Sequence, residues 1–381
     1  MKNLPSDDFR VSIPNFFFQK YLSKEGIIVS DGTVAYGDIK GISEVSCHQI
    51  LIGDLEGIQY FTALTSLSCG SNQLTSLDVS KNSALTSLSC GGNQLTSLDL
   101  SKNTALTSLS CGSNHGGNQL TSLDISKNTA LTILECQNNQ LTSLDLSGTY
   151  DLKTLQCYGN KFTSLDLSKN TALTSLRCER NQLISLDLSK NIALTDLECQ
   201  NNQLTSLDLS GAYNLKTLRC YGNKFTSLDV SKNTALTFLR CDDNKLNSLD
   251  VSKNIALTDL ECVNNQLTSL DVSKNSALTS LSCGGNQLTS LDVSKNSALT
   301  YLDCGDNKLT SLDVSKDNAL TTLWCDGNKF DIKSFDNDPS NGDYDDFDWK
   351  EASFNALTDG QYGDYDDFNG DWDRLDDERG A

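Results

Sequence analysis

At 381 residues, with 37% apolar side chains and 7% aromatics, the chain carries enough apolar material for an ordered core. Its longest apolar runs, Phe16 to Phe18 and Ile50 to Ile52, fall far below the roughly 20 residues of a bilayer-crossing helix. A net charge of −20 disfavours nucleic acid and anionic lipid as partners, since both need Lys and Arg facing phosphate.

Met1 to Arg10 lacks a basic segment followed by an apolar stretch of about 7 to 15 residues, so no secretory leader is legible there. The expectation is a cytoplasmic protein, or a surface or secreted one if a leader was removed. Residues 1–46 are assigned to an N-terminal cap. From Leu64 the segment LTSLSCGSNQLTSLDVSKNSA returns at Leu85 as LTSLSCGGNQLTSLDLSKNTA, and a register of 21 then persists to Phe330. One insertion interrupts it, adding four positions near Gly112 to His115. Residues 47–330 are therefore read as one repeat array with a degenerate first coil.

Within the first full coil the apolar positions are Leu64, Leu67, Cys69, Leu74, Leu77 and Val79, the pattern Leu-x-x-Leu-x-Cys-x-x-Asn-x-Leu. Alternation in Leu67-Ser68-Cys69 predicts a strand with one buried face, and Leu77-Asp78-Val79 gives the return half a strand-like character. One coil cannot enclose a core. Stacking coils about 4.8 Å apart lets each Leu rest on its equivalents, each burial contributing ~1.5–3 kcal/mol. The expected fold is a leucine-rich-repeat solenoid, a β-rich right-handed coil of thirteen stacked turns with a concave parallel sheet.

These residues resemble the 21-residue, cysteine-bearing leucine-rich repeats of the internalin J type, and Asp54 to Leu64 is similar to the first-coil sequence of internalin-like arrays. The resemblance covers roughly residues 47–330. It implies binding of a protein or glycan partner and adhesion at a bacterial surface. Upstream, Ile13-Pro14-Asn15-Phe16 with Tyr21-Leu22 resembles the helical cap of related proteins, which commonly runs into an EF-hand-like loop. Gly32 and Asp38 would fit that loop, but its first and third ligand positions fall on Ile27 and Val29, where calcium needs oxygen. A metal-free cap that shields the open core is expected.

Three columns of polar residues recur. Thirteen of the 14 Cys share one position, from Cys69 to Cys325, without the close spacing of zinc sites. Coil spacing would permit disulfides, but identical inward rotamers and an odd number argue for a ladder of buried thiols. Asn recurs at thirteen turns, Asn72 to Asn328, where its amide can satisfy turning backbone. Outward Asp residues from Asp78 to Asp313 run beside a Lys column expected to offset their repulsion. A mineral or ice surface is the weaker reading of that face.

The return half barely varies, whereas the strand around Cys varies a great deal. The residue before Cys reads Ser68, Ser89, Ser110, Glu135, Gln156, Arg177, Glu198, Arg219, Arg240, Glu261, Ser282, Asp303 and Trp324. Outward neighbours include Tyr158, Glu179, Arg180, Tyr221, Phe238 and Asp242. The candidate partner-binding residues are accordingly Glu135, Tyr158, Arg177, Arg180, Glu198, Arg219, Tyr221, Phe238, Arg240 and Glu261, since Arg and Tyr are favoured anchors of interfaces. Residues 131–193 and 194–256 are near copies, so duplication alone is the competing explanation.

Catalysis finds no constellation: the two His, His48 and His115, have no nucleophile and orienting acid placed with them. A non-enzymatic monomer without cofactor or metal is expected, binding on its concave face as a surface or secreted adhesin-like module. An intracellular scaffold or structural rod is the alternative. Residues 331–381 hold 17 acidic against 4 basic residues and two Gly-Asp-Tyr-Asp-Asp-Phe motifs 21 residues apart. Both a loose aromatic cap and a disordered acidic arm fit that composition.

Overall fold

The structure, a computed structural model, describes residues 5–114, 116–315 and 319–330; the two readings of the acidic segment 331–381, and His115, lie outside the described residues. The first helix, α1 (Phe16–Lys24), starts where the Asn15 side chain accepts from the Phe18 amide at 3.0 Å. It buries Phe18 and Leu22, and the Phe18 ring lies 6.2 Å from that of Phe61, over the end of the array. Strand β1 (Arg10–Ser12) pairs antiparallel with β2 (Thr33–Ala35), which leads into the short helix α2 (Tyr36–Ile39). In the loop compared above with an EF-hand, Ile27 and Val29 pack against the apolar core and offer no oxygen ligand.

Strand β3 (Glu44–Ser46) opens a 14-stranded parallel sheet and pairs with Ser66–Ser68. Every later strand is three residues long, with its central Leu inside and its flanking residues out, as in Ser175–Arg177 around Leu176. The pairing is in strict register: Leu176 faces Leu197, and Leu197 faces Leu218. This is a leucine-rich-repeat solenoid of thirteen full coils, and the sheet begins inside the segment assigned to the cap. Cys47, left out of the ladder, belongs to it: it is buried, and its amide donates to the Ser68 carbonyl at 2.8 Å just as Cys69 does to Ser89. Its spacing of 22 and the Val45 ahead of it hid the match.

All 14 thiols are buried and none is in a disulfide. Burial pushes them far above the ordinary thiol range, Cys47 and Cys111 to about 12 and Cys325, in the last described coil, to about 11. The first Asn column stitches neighbouring coils together. Asn202 Nδ2 donates to the carbonyls of Cys178, Cys199 and Gln200 at 3.1, 3.1 and 3.3 Å, while its Oδ1 accepts from the Leu183 amide at 3.0 Å. A second Asn column was not anticipated. Asn191 is fully buried and its Nδ2 reaches the carbonyls of Leu167 and Asn170 at 3.2 and 2.9 Å, a pattern shared by Asn82, Asn103 and Asn254.

The return half is less strand-like than its alternation suggests. Among the described residues it forms only the pair Ser185–Asp187 and Ser206–Asp208. The Asp column also differs from the expectation. Asp78 Oδ1 accepts from the Ser80 amide two residues on at 2.9 Å, and hydrogen bonds to Ser80, more than the charge of Lys81, hold its carboxyl below the usual range. Each carboxylate therefore serves its own turn first.

Candidate functional site

Register places the variable residues side by side. Glu135, Gln156, Arg177, Glu198, Arg219, Arg240 and Glu261 form one continuous row across seven coils, because each pairs with the next along the sheet. A second row follows Cys in each coil: Tyr158, Glu179, Gln200, Tyr221 and Asp242. The two rows are joined by ion pairs. Arg177 Nη2 lies 3.1 Å from Glu179 Oε1 and 3.3 Å from Glu198 Oε2, and Glu198 Oε1 lies 3.3 Å from Arg219 Nη1. Further along, Arg240 Nε lies 2.9 Å from Asp242 and 3.1 Å from Glu261. Each of the three guanidiniums also sits over a ring: Arg177 over Tyr158 at 5.0 Å, Arg219 over Phe238 at 4.9 Å and Arg240 over Tyr221 at 4.3 Å.

The second row is not the outward surface that alternation implied. Glu179 is 4% exposed, Asp242 5% and Tyr158 8%. The next residue of each coil adopts a left-handed conformation, which bends the chain back over the row. Tyr158 is thus a buried support that holds Arg177, not an exposed anchor. Burial pushes the Glu179 carboxyl up to about 7; the Arg177 charge opposes this and the Glu198 charge adds to it. Burial likewise raises Asp242, against the pull of Arg240.

Six of the ten candidates, Tyr158, Arg177, Arg180, Glu198, Arg219 and Tyr221, line a single cavity of about 600 Å³. Phe238, Arg240 and Glu261 continue the row past its edge, and Glu135 precedes it without lining it. The repeat pattern missed the cavity's other wall, made by Asn114, Gly116 and Gly117 of the insertion together with Asn138 and Gln140. The Tyr158 hydroxyl donates to Asn114 Oδ1, and Asn138 Nδ2 donates to the Ser113 carbonyl at 2.8 Å. Position was the available signal: the extra residues follow Cys111 and so lie on the same edge as Tyr158. Among the described residues no three His, Cys, Asp or Glu are grouped as metal ligands, and no helix is long and apolar enough to cross a membrane.

No family model matches the chain, and no curated protein matches it. Solved structures do. The functional domain of InlJ from Listeria monocytogenes, which includes a cysteine ladder, is 36% identical, with a TM-score of 0.75 over 85% of this chain and 77% of that one. The chain belongs to the internalin J type of leucine-rich-repeat proteins. The fold is shared with the internalin InlF of the same organism, at 22% identity and a TM-score of 0.74 over 83% of this chain and 97% of that one. A Leptospira interrogans leucine-rich-repeat protein shares it at 24% and 0.61, over 73% and 82%.

One backbone feature recurs along this internalin J-type array. In thirteen coils, counting that of Cys47, the second residue after Cys has φ between 49 and 65°. Eleven of these are Gly, Asn, Asp or Ser, types that suit or tolerate the left-handed region. The two exceptions are Gln49, with φ +56°, in the coil of Cys47, and Arg180, with φ +52°, which lines the cavity. At both positions a longer side chain is kept against backbone preference.

Proposed function

We propose that this internalin J-type array is a non-enzymatic binding module, surface-exposed or secreted and adhesin-like, that holds a protein or glycan partner on its concave sheet between Glu135 and Glu261. The observation that carries the reading is how the duplicated blocks diverged. Residues 131–193 and 194–256 differ at 11 of 63 positions. Five differences fall among the 12 positions on the outward strand and just after Cys, and six among the other 51. The five are Ile133 against Asp196, Gln156 against Arg219, Ser175 against Phe238, Glu179 against Asp242, and Arg180 against Asp243. Copying alone would spread differences evenly over the surface. Concentration on one face favours recognition there over an incidental solvated patch. The same family resemblance supports the surface location.

The test uses the full chain immobilised beside a triple variant, Arg180→Ser, Arg219→Ser and Tyr221→Ser. These residues line the cavity and spare the buried Tyr158. The parent is expected to retain a specific partner from extracellular material and the variant to lose it, at an unchanged circular dichroism melt. Equal retention by both would overturn the proposal.

A further inference from the structure

The cavity selects the chemistry of what enters it. Its charged heads are turned on one another: Arg177 meets Glu179 and Glu198, and Glu198 also meets Arg219. An anion entering would face the Glu198 and Glu179 carboxyls, and a cation would face the guanidiniums of Arg177, Arg180 and Arg219, so an ion of either sign meets like charge in the lining. A neutral ligand rich in hydroxyls meets no such conflict. A paired guanidinium still donates and a paired carboxylate still accepts, and hydrogen bonds to ionised groups are about twice as strong as neutral ones. The rest of the lining suits the same guest. Asn114, Asn138 and Gln140 add amides that both donate and accept, and Tyr221, half-buried with Arg240 over its ring, adds a phenol to the lining. A cavity of about 600 Å³ lies within the range of about 300–1,000 Å³ that holds compact organic ligands.

We infer that this cavity is a carbohydrate subsite for a neutral oligosaccharide of a few rings, with Asn114, Gly116 and Gly117 as its end wall. The inference rests on the reading of the concave face as the partner surface and names the partner's chemistry. The wall is a built part of the site: it is tied to one neighbouring coil through Asn138 and Ser113 and to the next through Tyr158 and Asn114. It can also be removed without disturbing the repeat. Deleting residues 113–116 joins Gly112 to Gly117 and leaves Cys-Gly-Gly-Asn, the sequence found at Cys90 to Asn93.

The full chain would be applied to a printed array of neutral and sialylated oligosaccharides, and each glycan retained would be titrated calorimetrically. The expected result is binding to neutral oligosaccharides that weakens at least tenfold in the 113–116 deletion and in Tyr221→Ala, with melts unchanged. If the deletion fails to fold, Tyr221→Ala decides alone. Binding to sialylated glycans only, to none, or equally by the parent and the folded variants overturns the inference. The underlying reading fails separately. A partner captured through Arg219 and Tyr221 that survives periodate oxidation of its glycans removes the carbohydrate and keeps the binding face. Loss of partner capture on periodate treatment supports the carbohydrate.

Discussion

Replacing Asn202 with Ala should cost more than the same change at Asn191, although both amides are buried and they lie only eleven residues apart, one before and one after the strand Asp196–Glu198. Asn202 makes four hydrogen bonds, accepting from the Leu183 amide and donating to three carbonyls in two coils. Its removal orphans the buried Leu183 N–H, at about 1–3 kcal/mol, while the three carbonyls lose one donor each but keep another in Asn181, Asn223 and the Arg180 amide, so a total of about 2–4 kcal/mol is expected. Asn191 donates to two carbonyls, and its own Oδ1 has no donor within reach, so its loss also removes an unsatisfied oxygen. A cost of about 1–2 kcal/mol follows. The chain contains its own controls: the second column is interrupted in sequence by Thr149, Ala212 and Asp317, whereas the first column is Asn in all thirteen coils. Urea unfolding of the full chain, followed by far-ultraviolet circular dichroism and by hydrogen exchange at the flanking coils, measures both variants. Equal destabilisation, or a larger loss at Asn191, would refute the assignment of coil-to-coil cohesion to the first column.

Arg180→Asn puts into the left-handed slot the residue found at Asn138, Asn201 and Asn264, and should stabilise the chain by about 1 kcal/mol, seen as a melt raised by ~2 °C, while weakening partner binding. A lower melt with binding intact would contradict the strain argument. Glu179 titrates at about 7 in the folded chain against an ordinary 4.5, so the fold binds the extra proton and the parent loses stability as pH rises from 4.5 through 7. Glu179→Gln should therefore match or trail the parent at pH 4 and gain on it by up to about 3 kcal/mol at pH 8. A difference that stays constant between those pH values would show that Glu179 is not the titrating group. The raised thiols predict negligible reaction with Ellman's reagent at pH 8 until urea is added, with Cys325, raised only to about 11 and the least buried of the thiols, reacting first. Early reaction from the middle of the ladder would mean that the coils open independently.

The parts of the fold that the sequence displayed are those repeated often enough to overrule local ambiguity. Thirteen copies of Leu, Cys and Asn at a spacing of 21 define the strand, the ladder and the turn, and alternation around Leu176 or Leu197 places the row from Glu135 to Glu261 on the outside. Features that occur once, or that depend on where the chain bends, were hidden. Cys47 sits at a spacing of 22 behind Val45. The second Asn column lies in a Ser-Lys-Asn stretch whose Lys reads as plain surface. Glu179 and Tyr158 look outward by period two, but the left-handed residue that follows each of them turns the pair under the row. The wall of the cavity depends on a contact between Asn114 and Tyr158, 44 residues and two coils apart, and no periodicity reports it.

Stacking also lowers the entropic cost that a surface of long, flexible side chains would meet in the proposed recognition. An Arg held in one conformation on binding ordinarily costs about 0.5–1.5 kcal/mol. Here the main-chain ladder fixes neighbouring coils at one spacing, and that spacing alternates Arg177, Glu198 and Arg219 within ion-pair reach. The rings of Tyr158 and Phe238 lie against two of the guanidiniums, and Tyr158 is itself held by Asn114. The ordering is thus completed in the free protein by contacts that leave Arg and Glu edges open to the cavity. Coils bearing Ser and Gly in the same row, such as those of Ser68, Ser89 and Ser282, have the same backbone and no such lattice. The scaffold is uniform along the rod, and the proposed binding face is the stretch where consecutive coils complete one another's side-chain contacts.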